Sequence, residues 1–290
     1  MILRTSSQDS IVKQSNLEAY DRFGTSAGKK DEFWSRVEDF NYGIAYSLIE
    51  KQVGIKDKRV CELGSGTAAH LKWYKRDCRE IIGLDISRQM LRLYLKTEGN
   101  SPNFGLITGD ALTLPFKSGA FDVVTIYQSA HHFPNIYKCM DEMLRVAGAF
   151  AFLEPNKDSF LHRLVEYRRE RRMVSKRFEV HSYKMVEYNS LGFSALQIKY
   201  FLKKRNVEVK IYYIFQLPME ISASVMRKSP FLFRILNLFG QVFTHVPLVK
   251  SQFGSLLVIA EKKEKELLLT RLQIHARDPK TKFPAKPILG

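Results

Sequence analysis

Val60-Cys61-Glu62-Leu63-Gly64-Ser65-Gly66-Thr67, residues 60–67, has the pattern of a buried strand that ends in a glycine turn and opens a helix. A turn of this kind places main-chain N–H groups and a helix N-terminus at the carboxyl edge of a parallel sheet, where doubly wound folds bind nucleotides. Asp85 ends the next predicted strand, 19 residues after Gly66. A carboxylate at that position commonly accepts hydrogen bonds from ribose hydroxyls. Together the two features predict a site for a cofactor that contains adenosine.

Strands and helices alternate along the chain from this turn onward. An amphipathic helix is predicted over residues 31–52, before the first strand. Seven strands are predicted, at residues 59–63, 80–84, 104–108, 122–126, 149–154, 207–215 and 255–261, with helices from Thr67, Ser87, Pro134 and Ser194. Alternation of this kind implies right-handed crossovers. We therefore predict an α/β, Rossmann-like, doubly wound and mostly parallel seven-stranded sheet with helices on both faces.

The residues around the glycine turn distinguish between two cofactors that contain adenosine. NAD would place its pyrophosphate over the turn, where the carboxylate of Glu62, two residues before Gly64, would repel it. The sulfonium and ammonium groups of S-adenosylmethionine would be attracted to the same carboxylate. Polar residues also end the third and fourth strands, at 109–111 and 127–129. These features favour S-adenosylmethionine.

Five motifs occur in order within residues 59–261. They are Glu62-Leu63-Gly64-Ser65-Gly66; Leu84-Asp85-Ile86-Ser87 with Met90-Leu91; Gly109-Asp110-Ala111 with Leu114-Pro115-Phe116; Phe121-Asp122-Val123-Val124; and Ala130-His131-His132. By these motifs the chain resembles class I S-adenosylmethionine-dependent methyltransferases of the small-molecule type. The resemblance implies a helical cap at residues 1–58, a methyltransferase domain at 59–261 with substrate-wall helices at 158–205 and 220–248, and a basic tail at 262–290.

The resemblance also implies which residues bind the cofactor. They are Glu62, Gly64, Ser65, Gly66, Asp85, Ile86, Met90, Asp110, Ala111 and Gln128. Glu62, Gly64 and Gly66 would surround the methionine part, and Asp85 would bind the ribose hydroxyls. Ile86 and Met90 would flank the adenine, and Asp110 would face its amino group. Ala111 would offer its main-chain N–H, and Gln128 would approach the methionine end through its main chain.

Two positions depart from the family pattern. Ala68 or Ala69 stands where the family has a third glycine, and a small residue there still allows close packing of the helix. Residues 144–148 read Leu-Arg-Val-Ala-Gly, where the family commonly has Leu-Arg-Pro-Gly-Gly. We therefore expect a shorter or differently turned loop before the fifth strand.

His131 and His132, after the fourth strand, are candidate catalytic residues. A histidine beside the methyl donor can remove a proton from a hydroxyl or a carbon acid. A role in shaping the loop is the alternative, because methyl transfer needs little beyond in-line alignment of nucleophile and sulfonium. The three cysteines are scattered without ligand spacing, so neither a metal site nor a disulfide framework is predicted.

The chain is strongly basic, with 46 Lys and Arg against 30 Asp and Glu and a net charge of +16. Residues 161–177 carry seven bases and two acids, and residues 262–290 carry eight bases and three acids. Such clusters predict an anionic partner, although solvated helix faces are the alternative interpretation. The first residues lack a signal-peptide pattern and no apolar run approaches a membrane span, so we expect a cytoplasmic location.

Residues 229–248, SPFLFRILNLFGQVFTHVPL, form an apolar segment with a narrow polar line at Arg234, Asn237 and Gln241. A helix of this composition is buried or touches lipid. Together with the bases of residues 161–177, it suits an acceptor with an anionic head and a lipid tail, or peripheral docking on an anionic membrane. We predict a small-molecule or lipid-linked acceptor; a dimer interface at this helix is an alternative.

Two further functions stay open. An RNA acceptor is consistent with the pI of about 9.7. The sequence lacks the aromatic signature of an RNA-recognition platform, however, and lacks an Asn/Asp-Pro-Pro-Tyr motif after the fourth strand. A non-catalytic binding protein on the same fold is the other alternative. Glu62, Asp85 and Asp110, all in register, favour an active enzyme, but the sequence identifies neither the accepting atom nor the oligomeric state.

Overall fold

The computed structural model describes residues 10, 13–14, 16–22, 32–67, 71–75, 77–98, 102–160, 162–164, 167–168, 192–216, 219–246, 249–252 and 254–263. Three features discussed above fall outside these ranges. They are Ala68 with Ala69, most of the basic segment 161–177, and the tail from residue 264.

The described strands are β1 (Arg59–Leu63), β2 (Glu80–Asp85), β3 (Phe104–Thr108), β4 (Phe121–Tyr127), β5 (Ala147–Pro155), β6 (Val207–Ile214) and β7 (Ser255–Lys262). A short N-terminal helix, α1, covers residues 16–22. The other helices with full bounds are α2 (Glu32–Val53), α3 (Lys72–Lys75), α4 (Arg88–Glu98), α5 (Ile136–Val146), α6 (Ala195–Lys203), α7 (Met219–Lys228) and α8 (Pro230–Phe243).

The seven strands form one sheet in the order β3-β2-β1-β4-β5-β7-β6. The first five run parallel, and β7 lies antiparallel between β5 and β6. The predicted mostly parallel, Rossmann-like fold is confirmed. Each predicted strand lies within two residues of its observed bounds, because the apolar runs that predict the strands are the residues buried in the sheet.

The chain reverses its direction of travel across the sheet between β1 and β4. From β1 it proceeds to β2 and β3 on one side, then returns to place β4 on the other side, with Leu63 paired to Ile126. In open α/β sheets, ligands bind in the crevice outside the carboxyl ends of the strands at this switch point. The glycine turn of residues 64–66 lies at that crevice.

Both faces of the sheet are covered, as predicted. On one face α2, α3 and α4 contribute Ala45, Ile49, Tyr74 and Tyr94 to an apolar cluster. On the opposite face α5 and α6 contribute a second cluster, which includes Cys139, Met140, Met143, Ile198 and Leu202. The three cysteines are free and buried, and within the described chain no group of three or more His, Cys, Asp or Glu side chains could hold a metal ion.

The start of one predicted helix lies outside the described chain, and another predicted helix starts at a side-chain cap. The helix expected from Thr67 is described only at Lys72–Lys75, since residues 68–70 lie outside the described chain. The helix expected after Pro134 begins at Ile136, because the Asn135 side chain accepts a hydrogen bond from the main-chain N–H of Lys138 and caps the helix. Ser87 and Ser229 cap α4 and α8 in the same way, as predicted.

The loop expected before the fifth strand is absent. Helix α5 ends at Val146 and β5 begins at Ala147 without an intervening residue. Arg145 fixes this junction, because its guanidinium donates hydrogen bonds to the carbonyl groups of Leu114 (3.0 Å) and Phe116 (2.7 Å). The departure of residues 144–148 from the family pattern therefore corresponds to a direct passage from helix to strand.

Candidate active site

The glycine turn after β1 depends on two residues with positive φ. Gly64 and Gly66 have φ values of 64° and 53°, in the left-handed region where side chains are strained. A Cβ atom on Gly64 would also overlap the hydroxyl of Ser129, at the end of β4. The turn therefore requires glycine at Gly64 for both conformation and space, and it leaves the main chain close to the crevice.

Asp85, at the end of β2, connects the two turns of the crevice. One carboxylate oxygen accepts a hydrogen bond from the main-chain N–H of Gly66 (2.8 Å), and the other accepts one from Ser87 (2.8 Å). Burial raises the pKa of Asp85, while the N–H groups of Ser87 and Gly66 act in the opposite direction. A carboxylate so oriented can still accept hydrogen bonds from ribose hydroxyls, since each oxygen has a second lone pair.

Glu62 is fully buried in β1, one strand away from Asp85. Burial and the nearby charge of Asp85 raise the pKa of Glu62 well above its usual range. The Tyr42 phenol of α2 lies close enough for the charge of Glu62 to contribute to its raised pKa, after burial and Glu38. A buried carboxyl in this environment is suited to a cationic ligand, because a positive charge would offset the burial of the carboxylate.

The other residues predicted around the ribose and adenine lie beside the turn. The Met90 methyl group is 3.6 Å from the position that a Cβ on Gly66 would occupy, and Ile86 directly follows Asp85. The Ser65 hydroxyl packs against Gly83 of β2, so any contact of Ser65 with a cofactor would come from its main chain. The roles of these residues stay predictions.

Asp110, Ala111 and Gln128 complete the predicted set at the ends of β3 and β4. One Asp110 oxygen accepts the main-chain N–H of Leu112 at 3.0 Å, and Ala111 is buried. Gln128 has a φ of 45°, and its main-chain N–H donates to Leu153 of β5 at 2.8 Å. This strained backbone turns the chain at the carboxyl end of β4, toward the crevice.

The N-terminal residues, predicted to form a helical cap, cross the same edge of the sheet through contacts that the sequence did not identify. Lys13 forms an ion pair with Asp110, and the Ser87 hydroxyl donates to Asp21 at 2.5 Å. Asn16 donates to the main-chain carbonyl of His132 at 3.4 Å, and the Tyr20 ring contacts the His132 ring edge-on at 5.6 Å. Residues of the predicted cap therefore contact both predicted cofactor residues and the histidine pair.

Partly buried His131 and fully buried Glu154 form a pair that connects the ends of β4 and β5. The Nδ1 atom of His131 is 2.7 Å from one Glu154 oxygen, and the other oxygen accepts main-chain N–H groups of Ser129 (2.8 Å) and Ala130 (2.7 Å). Glu154 is fully buried. The sequence could have identified Glu154, because it is a carboxylate at the end of an otherwise apolar strand, AFAFLE.

His132 differs from its neighbour. Burial, and then the proximity of His131, lower the pKa of His132 to about 3. Its ring packs against His131 at 4.1 Å between centroids and against Tyr20. His132 is therefore neutral across the physiological range and contributes to the packing of this loop, while His131 has the geometry of an oriented base.

Opposite the glycine turn, Gln128 contacts the segment that follows β6. Its side-chain amide donates to Gln216 at 3.4 Å, and Gln216 in turn accepts from the Ser255 hydroxyl. The segment 215–216 therefore forms part of the wall beside the carboxyl end of β4. This wall was predicted from residues 158–205 and 220–248, but Gln216 was not among them.

The sheet order, the switch point and the oriented acids define a Rossmann-like fold of the class I type. Residues 61–150 match a family described as "Methyltransferase domain". This match, together with the similarity to named methyltransferases, indicates that residues 61–150 form a methyltransferase domain of the type that uses S-adenosylmethionine. The residues at the crevice fit that group, because a buried carboxyl at Glu62 matches its positive charge and Asp85 matches its ribose.

The chain is similar to several named proteins over part of their length. It is 27% identical over 152 residues to the uncharacterized methyltransferase YcgJ of Bacillus subtilis, which covers 48% of this chain and 60% of that protein. It is 37% identical over 138 residues to demethylmenaquinone methyltransferase of Staphylococcus haemolyticus, covering 47% and 54%. It is 29% identical over 110 residues to phthiotriol/phenolphthiotriol dimycocerosates methyltransferase 1 of Mycobacterium ulcerans, covering 37% and 40%.

The crystal structure of YcgJ from Bacillus subtilis shares the fold, with a TM-score of 0.52 at 18% identity over 77% of this chain and 99% of that one. The alignments with curated relatives span between 28% and 60% of the relatives' own length. Similarity of this extent supports the fold and a methyltransferase domain, and it leaves the acceptor to be inferred from the site.

Proposed function

We propose that this protein transfers the methyl group of S-adenosylmethionine to a hydroxyl or an acidic carbon of a small-molecule or lipid-linked acceptor. The observation that carries the proposal is the His131–Glu154 pair, at 2.7 Å, beside the predicted cofactor residues at the ends of β1 and β4. An oriented imidazole is useful when the accepting atom must lose a proton, as a hydroxyl or a carbon acid does.

The cofactor supplies an electrophilic methyl group on a positively charged sulfur. The protein would bind and orient it: Glu62 and the glycine turn would hold the charged end, and Asp85 would hold the ribose. Glu154 accepts the Nδ1–H of His131, so that Nε2 is the basic nitrogen of the neutral ring. His131 then takes the proton of the acceptor as the new bond to carbon forms and the electron pair of the broken bond returns to sulfur.

The names of the relatives support a hydrophobic acceptor. Demethylmenaquinone and phthiotriol dimycocerosates methyltransferases are named for apolar acceptors, and they align with 47% and 37% of this chain. Their acceptors are not transferred to this chain by that similarity alone. The names do suggest which acceptors to test, and the set of test compounds should include quinols and lipid-linked hydroxyl compounds.

RNA methylation and non-catalytic binding are the competing functions. The net charge of +16 favours an RNA partner, whose binding would weaken steeply with salt in a gel-shift assay. A binding protein on this fold would retain the cofactor but transfer no methyl group to any acceptor. The proposed cytoplasmic location applies to all three functions.

The first test is calorimetric binding of S-adenosylmethionine and of its demethylated product, with NAD as the comparison ligand. We expect micromolar or tighter binding of the first two and none of NAD. Asp85→Ala should weaken binding by at least about tenfold, because two ribose hydrogen bonds to a charged group are lost. Glu208→Ala, which removes an exposed carboxylate at the edge strand β6, is the matched control and should bind as wild type.

The second test measures transfer of an isotopically labelled methyl group to the set of test compounds. Transfer to a quinol or lipid-linked hydroxyl supports the proposal. Binding of NAD in the first test, or transfer to RNA alone in the second, overturns it.

A further inference from the structure

The helical hairpin of α7 and α8 presents an apolar face to solvent. Phe231, Leu238 and Phe239 are 74%, 68% and 64% exposed, and they are accompanied by other exposed apolar side chains of the hairpin. These others are Ile221, Leu232, Leu236, Val242, Phe243, Val246 and Val249. Large exposed apolar patches on a globular protein mark surfaces that bind another molecule. We call these residues the hairpin face.

Two of the three residues in the polar line predicted on α8, Asn237 and Gln241, are directed toward the protein. Asn237 is 2% exposed and donates to the carbonyl of Phe233 at 2.8 Å. Gln241 donates to the carbonyl of Phe215 at 3.1 Å, and Gly240 lies so close to the Phe215 ring that a Cβ atom would overlap it. These contacts fix the rotation of α8, so that its largest apolar side chains point outward.

The charged residues of the hairpin are mostly basic, with Glu220 at the start of α7 as the one acid of the two helices. Residues 221–252 contain no Asp or Glu, and their bases, Arg227, Lys228, Arg234 and Lys250, are exposed. An apolar face bordered by basic residues is typical of helices that lie in the interface of an anionic membrane. Within the described chain no helix is long and apolar enough to span a membrane, so insertion would be limited to one face of the hairpin.

The hairpin face is connected to the acceptor side of the active site. Gln241 of α8 contacts the main chain of Phe215, and the next residue, Gln216, contacts Gln128 at the end of β4. The path from the exposed helix to the candidate site therefore passes through the side chains of Gln241, Gln216 and Gln128 and the peptide unit between Phe215 and Gln216.

We propose that the hairpin face docks on an anionic membrane surface and that the methyl acceptor is taken from that membrane. The choice of a lipid surface rests on charge complementarity. A second copy of this chain, docked through the same face, would place four bases against the same four bases, with only Glu220 of each copy as an acid of the two helices. The inference about the acceptor rests on the proposed function, whereas the docking itself does not.

The test is vesicle flotation of the full chain. Vesicles of phosphatidylcholine alone are compared with vesicles that contain about one third phosphatidylglycerol. We expect the protein to float with the anionic vesicles and to be released by raising the salt, because surface charges are screened. Phe231→Ser/Leu238→Ser/Phe239→Ser and Lys228→Glu/Arg234→Glu should each reduce the bound fraction at least about tenfold.

Leu196→Ser on α6 is the matched control. Leu196 is 76% exposed but lies on the helix that packs on the other face of the sheet. This variant should float as wild type. Equal flotation on neutral and anionic vesicles, or equal losses in the control and the hairpin variants, overturns the proposal. So does a dimer, measured by light scattering, that the triple serine variant abolishes while vesicle binding is absent.

Cofactor calorimetry separates this inference from the proposed function. The hairpin variants should bind S-adenosylmethionine as wild type does and should methylate a water-soluble acceptor analogue at an unchanged rate. Their rate on the same acceptor embedded in anionic vesicles should fall with the bound fraction. If the protein floats with anionic vesicles and no acceptor is methylated, membrane docking stands and the proposed function fails. If the variants methylate the embedded acceptor at an unchanged rate, the inference that the acceptor is taken from the membrane fails.

Discussion

The Glu154 carboxylate, fully buried at the end of β5, lies 2.7 Å from the Nδ1 atom of the His131 imidazole. The second Glu154 oxygen accepts the main-chain N–H groups of Ser129 and Ala130, so that the carboxylate is itself fixed. The ring is thereby set in one orientation and one tautomer before any acceptor binds.

Substitution of His131 tests the assignment of the base. We expect His131→Ala to lower kcat by about 100-fold to 10,000-fold, the usual contribution of general base catalysis, with the cofactor Kd unchanged. The loss should shrink with acceptors that are more acidic, because these need less help to lose their proton. Rates for a series of acceptors of graded acidity measure this. A uniform loss across the series would assign His131 to loop packing instead.

Cofactor binding should release a proton from Glu62. Burial raises the pKa of Glu62 in the free protein, and the cationic cofactor would favour its charged form. Affinity for S-adenosylmethionine should therefore increase as the pH rises, until Glu62 is ionised without the cofactor. Calorimetry in two buffers of different ionisation enthalpy measures the released proton. In Glu62→Gln the binding enthalpy should no longer depend on the buffer; a persisting dependence would assign the proton to another group.

The low pKa of His132 should make stability depend on pH. Its folded pKa is about 3, whereas an unfolded histidine titrates near pH 6.5, so below that pH the unfolded chain binds a proton that the folded protein does not. As the pH falls from about 6 to about 3, this site should lower the free energy of unfolding by about 1.4 kcal/mol for each pH unit.

Urea unfolding at several pH values measures this contribution as the difference between wild type and His132→Asn. His245→Asn, on the exposed surface after α8, is the control and should follow wild type at each pH. Parallel curves for wild type and His132→Asn would show that His132 takes up its proton in the folded protein.

Lys13 forms an ion pair with Asp110, whose carboxylate is predicted to face the adenine amino group. Lys13→Met removes this ion pair, which the cofactor would otherwise have to break. Cofactor association should become about twofold to fivefold faster, because a partly exposed ion pair contributes less than about 1 kcal/mol. Stopped-flow fluorescence measures the association rate. Lys72→Met, which removes the ion pair with Asp39 away from the crevice, should leave the rate unchanged. Slower association in Lys13→Met would mean that Lys13 itself attracts the cofactor.

The sequence predicted the sheet well because its strands depend on local patterns, and the cofactor residues at its edge stay a prediction. Apolar runs marked the seven strands, and Gly64, Gly66 and Asp85 are separated by spacings that the fold requires. The His131–Glu154 pair joins residues 23 positions apart, so only the pairing of β4 with β5 brings them together. The contacts of Lys13 and Asp21 are longer in range and carry no local signal.

The rotation of α8 shows the limit of helical periodicity. The spacing of Arg234, Asn237 and Gln241 identified a polar line, and the usual expectation places such a line toward water. Asn237 and Gln241 instead face the protein: the main chain of Phe215 offers Gln241 a carbonyl group and an N–H group, and buried Asn237 donates to the carbonyl of Phe233. Periodicity fixes which residues share a face, and tertiary hydrogen bonds decide which face is buried.

The outward side chains of α8 have a practical consequence for anyone who purifies this protein. Phe231, Leu238 and Phe239 are largely exposed, while Phe233, Asn237 and Gly240 hold the helix in place. In plain buffer these exposed rings should make concentrated samples aggregate. Mild detergent, or polar residues at those three positions, should keep the protein dispersed at crystallisation concentrations with its fold unchanged.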